Sequence, residues 1–336
     1  MSKNVIGALK YVLFFALGVF VLWLISRKVD FEEVKKAFVG ANYYWILASI
    51  FFSVMSQISR ALRWQMLINS IGHKPKFINT FLSCYVLYLV NLFVPRAGEV
   101  ARCTVLSGTD KIPFAKLVGT MIIERLADFI MLVFLAIAIF AFNLSIIVKF
   151  FEVHPDLKDG ILRFMTTQNI ILLVVLGILF LAAFVLLLKR RRKRKEKKES
   201  LWSKLMEGVY SISKLKNKWL FIGHTVFIFL MWLCMLYVVF LAYEPTAHLS
   251  IRTGMVVFLM SGIAMLLPIQ AGIGPYHFMV SQTLVLYGVP LIYGIPFSYL
   301  VHTTTNLVYI ILGGIAAALI FMLNSGNVTF SWKKQS

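Results

Sequence analysis

The chain has 336 residues, 60% of them hydrophobic, 15% aromatic and only 14% charged, with a mean hydropathy of +0.83. Soluble domains carry about 25% charged residues, so a chain of this length built from soluble domains is excluded for want of polar surface. The 34 Lys+Arg against 14 Asp+Glu give a formal net charge of +20, which basic loops on one side of a membrane explain without invoking nucleic acid.

In chain order, the first apolar run, Val5–Ser26, follows Met-Ser-Lys-Asn and is not succeeded by a small-residue cleavage site. It reads as an uncleaved first span. Tyr43–Trp64, Leu117–Asn143, Ile170–Leu188, Trp219–Tyr243 and Pro296–Leu323 are five more apolar segments, each near the ~20 residues a helix needs to cross a bilayer. Two further stretches are interrupted. Phe77–Val94 runs into Pro95-Arg96-Ala97-Gly98, and Thr253–Leu267 runs into Pro268-Ile269-Gln270-Ala271-Gly272-Ile273-Gly274-Pro275 before a short run to Gly288. The expected architecture is all-α: a polytopic membrane helix bundle of six full spans plus two Pro/Gly-broken re-entrant hairpins, over residues 77–108 and 253–288. The whole chain, 1–336, is expected to form one integral membrane domain.

Residues 189–218 carry 13 Lys/Arg and three Glu, including the unbroken basic run 189–195. That segment reads as a cytoplasmic loop, and residues 144–168 and 244–252, with balanced charge, read as external. Placing 77–108 as a hairpin entered from the cytoplasm keeps the basic segments 69–76 and 109–116 and both termini inside. The protein is thus expected in the cell (inner) membrane with both termini cytoplasmic. The same choice exposes a pattern of span, broken segment, span in 43–143 and again, with direction reversed, in 219–323. That is the order of an inverted-topology repeat, and Gly/Pro-interrupted segments at matching places in two halves point to a midplane transport site. Irregular backbone at each break needs a protein or water environment, because lipid satisfies no free N–H or C=O.

The charges within apolar segments are few and clustered. Glu124, Arg125 and Asp128 sit in MIIERLADFIML; Arg96, Glu99 and Arg102, spaced by three, follow the first break; Arg60 and Arg63 lie in ISRALRW. Each lipid-facing charge costs about 2.5–3.5 kcal/mol at mid-bilayer, so the first two groups must face protein or water. For them a salt-bridge network that fixes helix packing competes with a polar cavity in which arginines hold an anionic head group. Arginine suits the latter, since its fork matches phosphate oxygens. For Arg60 and Arg63, snorkelling to the head groups is the competing account. The second break is nearly uncharged, with Gln270, Tyr276, His277 and Gln282 as its polar members. His277 and His302 are either satisfied packing residues or a proton-coupling pair.

No HExxH, GxSxG, Walker loop or cysteine–histidine metal spacing occurs. No cofactor, metal or catalytic residue is expected, and the separated Cys84, Cys103 and Cys234 read as buried packing residues.

At NLFVPRAGEVAR, ERLAD and LPIQAGIGP the sequence resembles the lysylphosphatidylglycerol synthase transmembrane-region family, which includes the flippase half of the multiple peptide resistance factor. The likeness covers roughly residues 5–325. It rests most on Pro95, Gly98, Glu99 and Arg102, then on Glu124, Arg125 and Asp128, with Arg60, Arg63 and Trp64 in support. The family's second break usually carries a Glu where this chain, after Gly272, Gly274, Pro275 and Tyr276, has His277. The resemblance implies translocation of a lipid or lipid-linked substrate, and the cytosolic aminoacyl-transferase domain of the full resistance factor is not expected in this chain. The leading expectation is a non-enzymatic, flippase-like transporter of an anionic phospholipid or lipid-linked head group. Its site would be drawn from Arg60, Arg63, Arg96, Glu99, Arg102, Glu124, Arg125, Asp128, Gln270 and His277. Two rivals remain: a non-catalytic membrane partner of a lipid or glycan synthase, and an intramembrane lipid-modifying enzyme. A membrane lipid is the expected partner, with a synthase or a second copy of the chain as further candidates.

Overall fold

The computed structural model describes residues 31–142, 201–267 and 269–324, and within them every regular element is helical. The expected spans Val5–Ser26 and Ile170–Leu188 lie outside the described residues, as does Pro268. The helices are α1 (Phe31–Val39), α2 (Tyr43–Ser70), α3 (Phe77–Phe93), α4 (Ala97–Asp110), α5 (Phe114–Phe142), α6 (Leu201–Val209), α7 (Lys218–Ala242), α8 (Glu244–Ala247), α9 (Ile251–Ala264), α10 (Pro275–Leu286) and α11 (Leu291–Asn324). Among the described residues three helices are long and apolar enough to cross a membrane: Tyr43–Ser70, Lys218–Ala242 and Leu291–Met322. Helix α5 has the length, 29 residues, but carries Lys116, Glu124, Arg125 and Asp128.

The frame is the antiparallel pair α2/α7. Asn42 opens α2 with its side chain accepting from Tyr44 N–H, an N-cap that satisfies an otherwise orphaned donor. Its own N–H donates to Ala242 O at 2.8 Å. Further along, Ser49 Oγ donates to Met235 O, Ser59 Oγ meets His224, and Ser70 Oγ donates to Ser211 O. These four ties hold one register from end to end, so residue 70 of α2 and the start of α7 share one end of the bundle, and residues 42 and 242 share the other.

The two broken segments fold as helical hairpins that open toward opposite ends. In the first, Lys76 N–H and Asn79 Nδ2 both donate to the Asp110 carboxylate, at 2.9 Å each, so the far ends of α3 and α4 meet at the residue-70 end. Near its tip the Gly98 Cα packs on α3 so closely that an added Cβ would lie 2.0 Å from the Leu87 carbonyl oxygen. The second hairpin, α9/α10, opens at the other end. There Leu249 and Val289 join Ala37, Ala41, Ala242, Tyr243 and Phe297 in one apolar cluster. The tips touch: Arg96 Nη2, in the first break, donates to Leu266 O at the edge of the second, at 2.9 Å.

The basic segment 189–218, expected as a loop, holds a helix in its described part. Leu201–Val209 folds as α6 because Leu205, Met206 and Val209 form an apolar face that packs with Leu67, Ile123 and Phe221. Gly208 meets Gly119 of α5 so closely that a Cβ on either would clash with the other helix's backbone. Lys116 pairs with Glu207 at 3.0 Å and reaches His73 Nε2 at 3.4 Å. Thus α6, the 71–76 loop and the start of α5 gather at the residue-70 end.

Candidate functional site

Helices α2, α4 and α5 bring seven ionic side chains to one place between the hairpin tips and the residue-70 end. Helical spacing does the local work. Arg60 and Arg63 are three apart on α2, Glu99 and Arg102 three apart on α4, and Glu124 and Asp128 four apart on α5, so each pair shares a face. Glu124 is fully buried and central, with Arg125 at 2.8 Å, Arg102 at 2.9 Å, Arg63 at 3.2 Å and Arg60 at 4.0 Å. Asp128 contacts Arg63 at 2.6 Å, Arg125 at 3.1 Å and Arg60 at 3.5 Å. Glu99 joins through Arg102 at 3.0 Å and Arg125 at 3.3 Å. The network is sealed at Glu124, Arg63 and Arg102 and opens at Arg125, whose side chain is 35% exposed.

Neutral groups fix its members. Trp64 Nε1 donates to Thr120 Oγ1 at 3.0 Å, and the Trp64 ring lies 4.4 Å below the Arg102 guanidinium. Arg63 donates to Thr225 Oγ1 of α7 at 3.0 Å. Arg60 differs from the other three arginines. It sits between the rings of Trp232, at 5.0 Å, and Tyr88, at 5.6 Å. Among the described residues it donates no hydrogen bond and its carboxylate contacts are the longest in the network, whereas a buried Nε without a partner is common to all four arginines. Four arginines face three carboxylates, which leaves one positive charge unmatched. A buried guanidinium with unspent donors is chemically suited to an incoming anion, above all to the paired oxygens of a phosphate.

Several expectations need correction. Arg60 and Arg63 do not snorkel, since they are 1% and 0% exposed. Arg96 does not share a helix face with Glu99 and Arg102, because its backbone is left-handed (φ 63°), which takes it out of helical register. It is exposed and bonds the second break, with no ion pair to the network among the described residues. Gln270 and His277 also lie apart. Gln270 opens a 3₁₀ turn, Gln270–Gly272, and His277 is buried in the first turn of α10. Pro95 and Gly98 shape the first tip, while Gly272 (φ 71°) and Gly274 (φ 98°) take left-handed backbone in the second and Pro275 begins α10. Sequence reasoning passed over Ser53, Gln57 and Tyr85; the buried Gln57 Oε1 and Tyr85 hydroxyl have no partner, while the Ser53 hydroxyl faces that of Tyr309. The signal for the first two was available: FFSVMSQISR repeats polar residues at helical spacing inside an apolar run.

Long apolar helices, two hairpins meeting tip to tip and an interior ion network define an integral membrane protein. The chain belongs to the lysylphosphatidylglycerol synthase TM region family, whose sequence profile matches residues 9–313. A UPF0104 membrane protein of Methanocaldococcus jannaschii is 22% identical over 153 residues, 45% of this chain and 45% of that protein. The matched stretch thus spans less than half the length of that relative.

Proposed function

We propose that this protein moves an anionic phospholipid or lipid-linked head group between leaflets, and that Arg60 receives its phosphate. The observation that carries this reading is the charge inventory of the buried network, four arginines to three carboxylates, with Arg60 the arginine that donates no hydrogen bond among the described residues and holds its carboxylates at the longest distances. The opening at Arg125 supplies an approach, and the partnerless oxygens of Gln57 and Tyr85 supply polar surface for the rest of the head group. Hairpins that open at opposite ends and touch at their tips support re-entrant segments, one from each face of the membrane, and an inverted arrangement of residues 43–143 and 219–323. The basic α6 at the residue-70 end supports a cytoplasmic position for that end. A binding role fits Glu124 better than acid–base catalysis, because a carboxylate held by four arginines is a poor proton carrier.

The test is reconstitution into vesicles with fluorescent anionic or zwitterionic phospholipids, followed by chemical quenching of the outer leaflet. Wild-type protein is expected to move the anionic probe faster, and Arg60→Met to lose that preference by about 10–100-fold, the worth of a charged hydrogen-bonded contact of about 1.5–3 kcal/mol. Wild-type protein that moves neither probe, or an Arg60→Met variant with the wild-type preference, overturns the reading.

A further inference from the structure

The two histidines of the second half meet, and each is bonded to the second break or to the helix beside it. His277 and His302 have ring centroids 4.7 Å apart, edge to face, between Tyr276, stacked on His302 at 4.8 Å, and Tyr299, 4.3 Å from His277. Both imidazoles are buried. His302 Nε2 is 2.8 Å from Ala271 O. A carbonyl oxygen only accepts, so Nε2 carries the proton; the Asn306 amide nitrogen lies 3.3 Å from both ring nitrogens and can donate only to the unprotonated Nδ1. His277 Nδ1 accepts from Gly274 N–H at 3.3 Å, which leaves its Nε2 as a buried donor without a partner.

These contacts matter because the break is strained. Ala271 is held at φ 51°, a left-handed region that is unfavourable for a residue with a side chain and persists only where its surroundings enforce it. The bond from His302 on α11 is the side-chain contact that grips the Ala271 carbonyl.

We propose that His302, paired with His277, is a proton-binding site whose occupancy sets how tightly the second break is held to α11. A proton from solvent bonds to His302 Nδ1. Rotation of the Asn306 amide then presents Oδ1 in place of its N–H, so both imidazolium N–H groups have acceptors: Asn306 Oδ1 and Ala271 O. The grip on Ala271 O becomes charge-assisted, roughly twice as strong as the neutral bond. Protonation of His277 at Nδ1 instead would set an N–H against the Gly274 N–H and break that contact, which directs the proton to His302. Facing the pair are Tyr276 and His277 from α10 and Tyr299 from α11. Tyr85 and Tyr88 of α3 face α11 lower down, around Tyr309. The cation at the break's other edge is Arg96, tied to Leu266 O. Among the described residues no carboxylate pairs with either imidazole, so the added charge stands as a switch. The inference names the coupling ion for the transport proposed above, but the proton site itself is read without any lipid.

Infrared pH-difference spectra of the detergent-solubilised full chain test it, together with hydrogen–deuterium exchange of the peptide spanning residues 265–275, corrected for intrinsic rates. One imidazole band, separate from those of the other five histidines, is expected to titrate in wild type and to be lost in His302→Gln while the others remain. Asn306→Asp, which adds an opposite charge beside the ring, is expected to raise its midpoint by at least about one pH unit. Corrected protection of 265–275 is expected to rise several-fold on protonation in wild type and to stay flat in His302→Gln. Survival of every band in His302→Gln, a midpoint unmoved by Asn306→Asp, or protection that ignores the titration overturns the proposal. Absence of lipid movement by wild type overturns the head-group reading instead and leaves this one standing.

Discussion

Arg60→Met separates a binding arginine from a structural one. The substitution leaves Arg63, Arg102 and Arg125 facing Glu99, Glu124 and Asp128, so the buried charges balance. What it removes is modest: two carboxylate contacts at 3.5 and 4.0 Å and two ring contacts at 5.0 and 5.6 Å, the latter worth about 0.5–2 kcal/mol each. Against this, Arg60 is the unmatched charge, so its removal strands no carboxylate and lifts a desolvation penalty of on the order of several kcal/mol that a buried ion carries. Arg60→Met is therefore expected to melt within a few degrees of wild type or above it. Arg63→Met is the contrast, because it strips bonds to Thr225, Glu124 and Asp128 at 3.0, 3.2 and 2.6 Å. Breaking a buried pair costs about 3–5 kcal/mol, which lowers the melting point by on the order of 10 °C. Thermal melts in detergent, read by tryptophan fluorescence with and without added anionic lipid, check both. A ligand at 100 times its Kd stabilises by about 2.7 kcal/mol, a rise expected for wild type and absent in Arg60→Met. If Arg60→Met loses as much stability as Arg63→Met, or keeps the lipid-induced rise, the unmatched charge is a packing element and the argument fails.

Gly98→Ala places a methyl 2.0 Å from the Leu87 carbonyl oxygen and is expected to destabilise the first hairpin by about 1–3 kcal/mol, as overpacking does; the same melts read it, and a wild-type midpoint would mean α3 and α4 yield without cost. At the residue-70 end, burial and then the Lys116 ammonium hold the His73 imidazole below its ordinary value. The folded state thus resists a proton that the unfolded chain accepts: stability is full above about pH 6.5, the ordinary imidazole value, and declines as pH falls below it. Melts at pH 8 and 5.5 should show a drop that His73→Gln reduces, and an identical drop in the variant would place the acid sensitivity elsewhere.

Among the described residues, three of the expected spans and the two breaks were legible in the sequence because each is written in a single stretch: about twenty apolar residues, or a Pro/Gly run. The same holds for α5, where Glu124, Arg125 and Asp128 announce an interior face in one helix. What was not legible is written across helices. Arg60 and Arg63 sit where a snorkelling pair would sit, and only the partnering of α2 with α5 turns them inward onto Glu124 and Asp128. Arg96 keeps the three-residue spacing of its neighbours, yet one left-handed residue at the break reverses its direction and sends it to the other hairpin. Helix α6 was hidden by composition, since its apolar face is short and follows a long basic run. Its docking depends on Gly119, eighty residues earlier in the chain.

Those two classes of error share a cause that bears on function. A local rule fails where a side chain's partner is remote, and here the remote partnerships concentrate at the ion network and at the contact between the hairpin tips. The network ties α2 to α4 and α5; Arg96 ties one break to the other; His302 ties the second break to α11. Motion of the second hairpin's tip must therefore strain a bond at Arg96 or His302, whereas the first hairpin is also tied through Glu99 and Arg102 of α4 to the network around Glu124. That implies an order of sensitivity: changes at Arg96 and His302 should alter rates more than lipid affinity, and Arg60→Met should do the reverse.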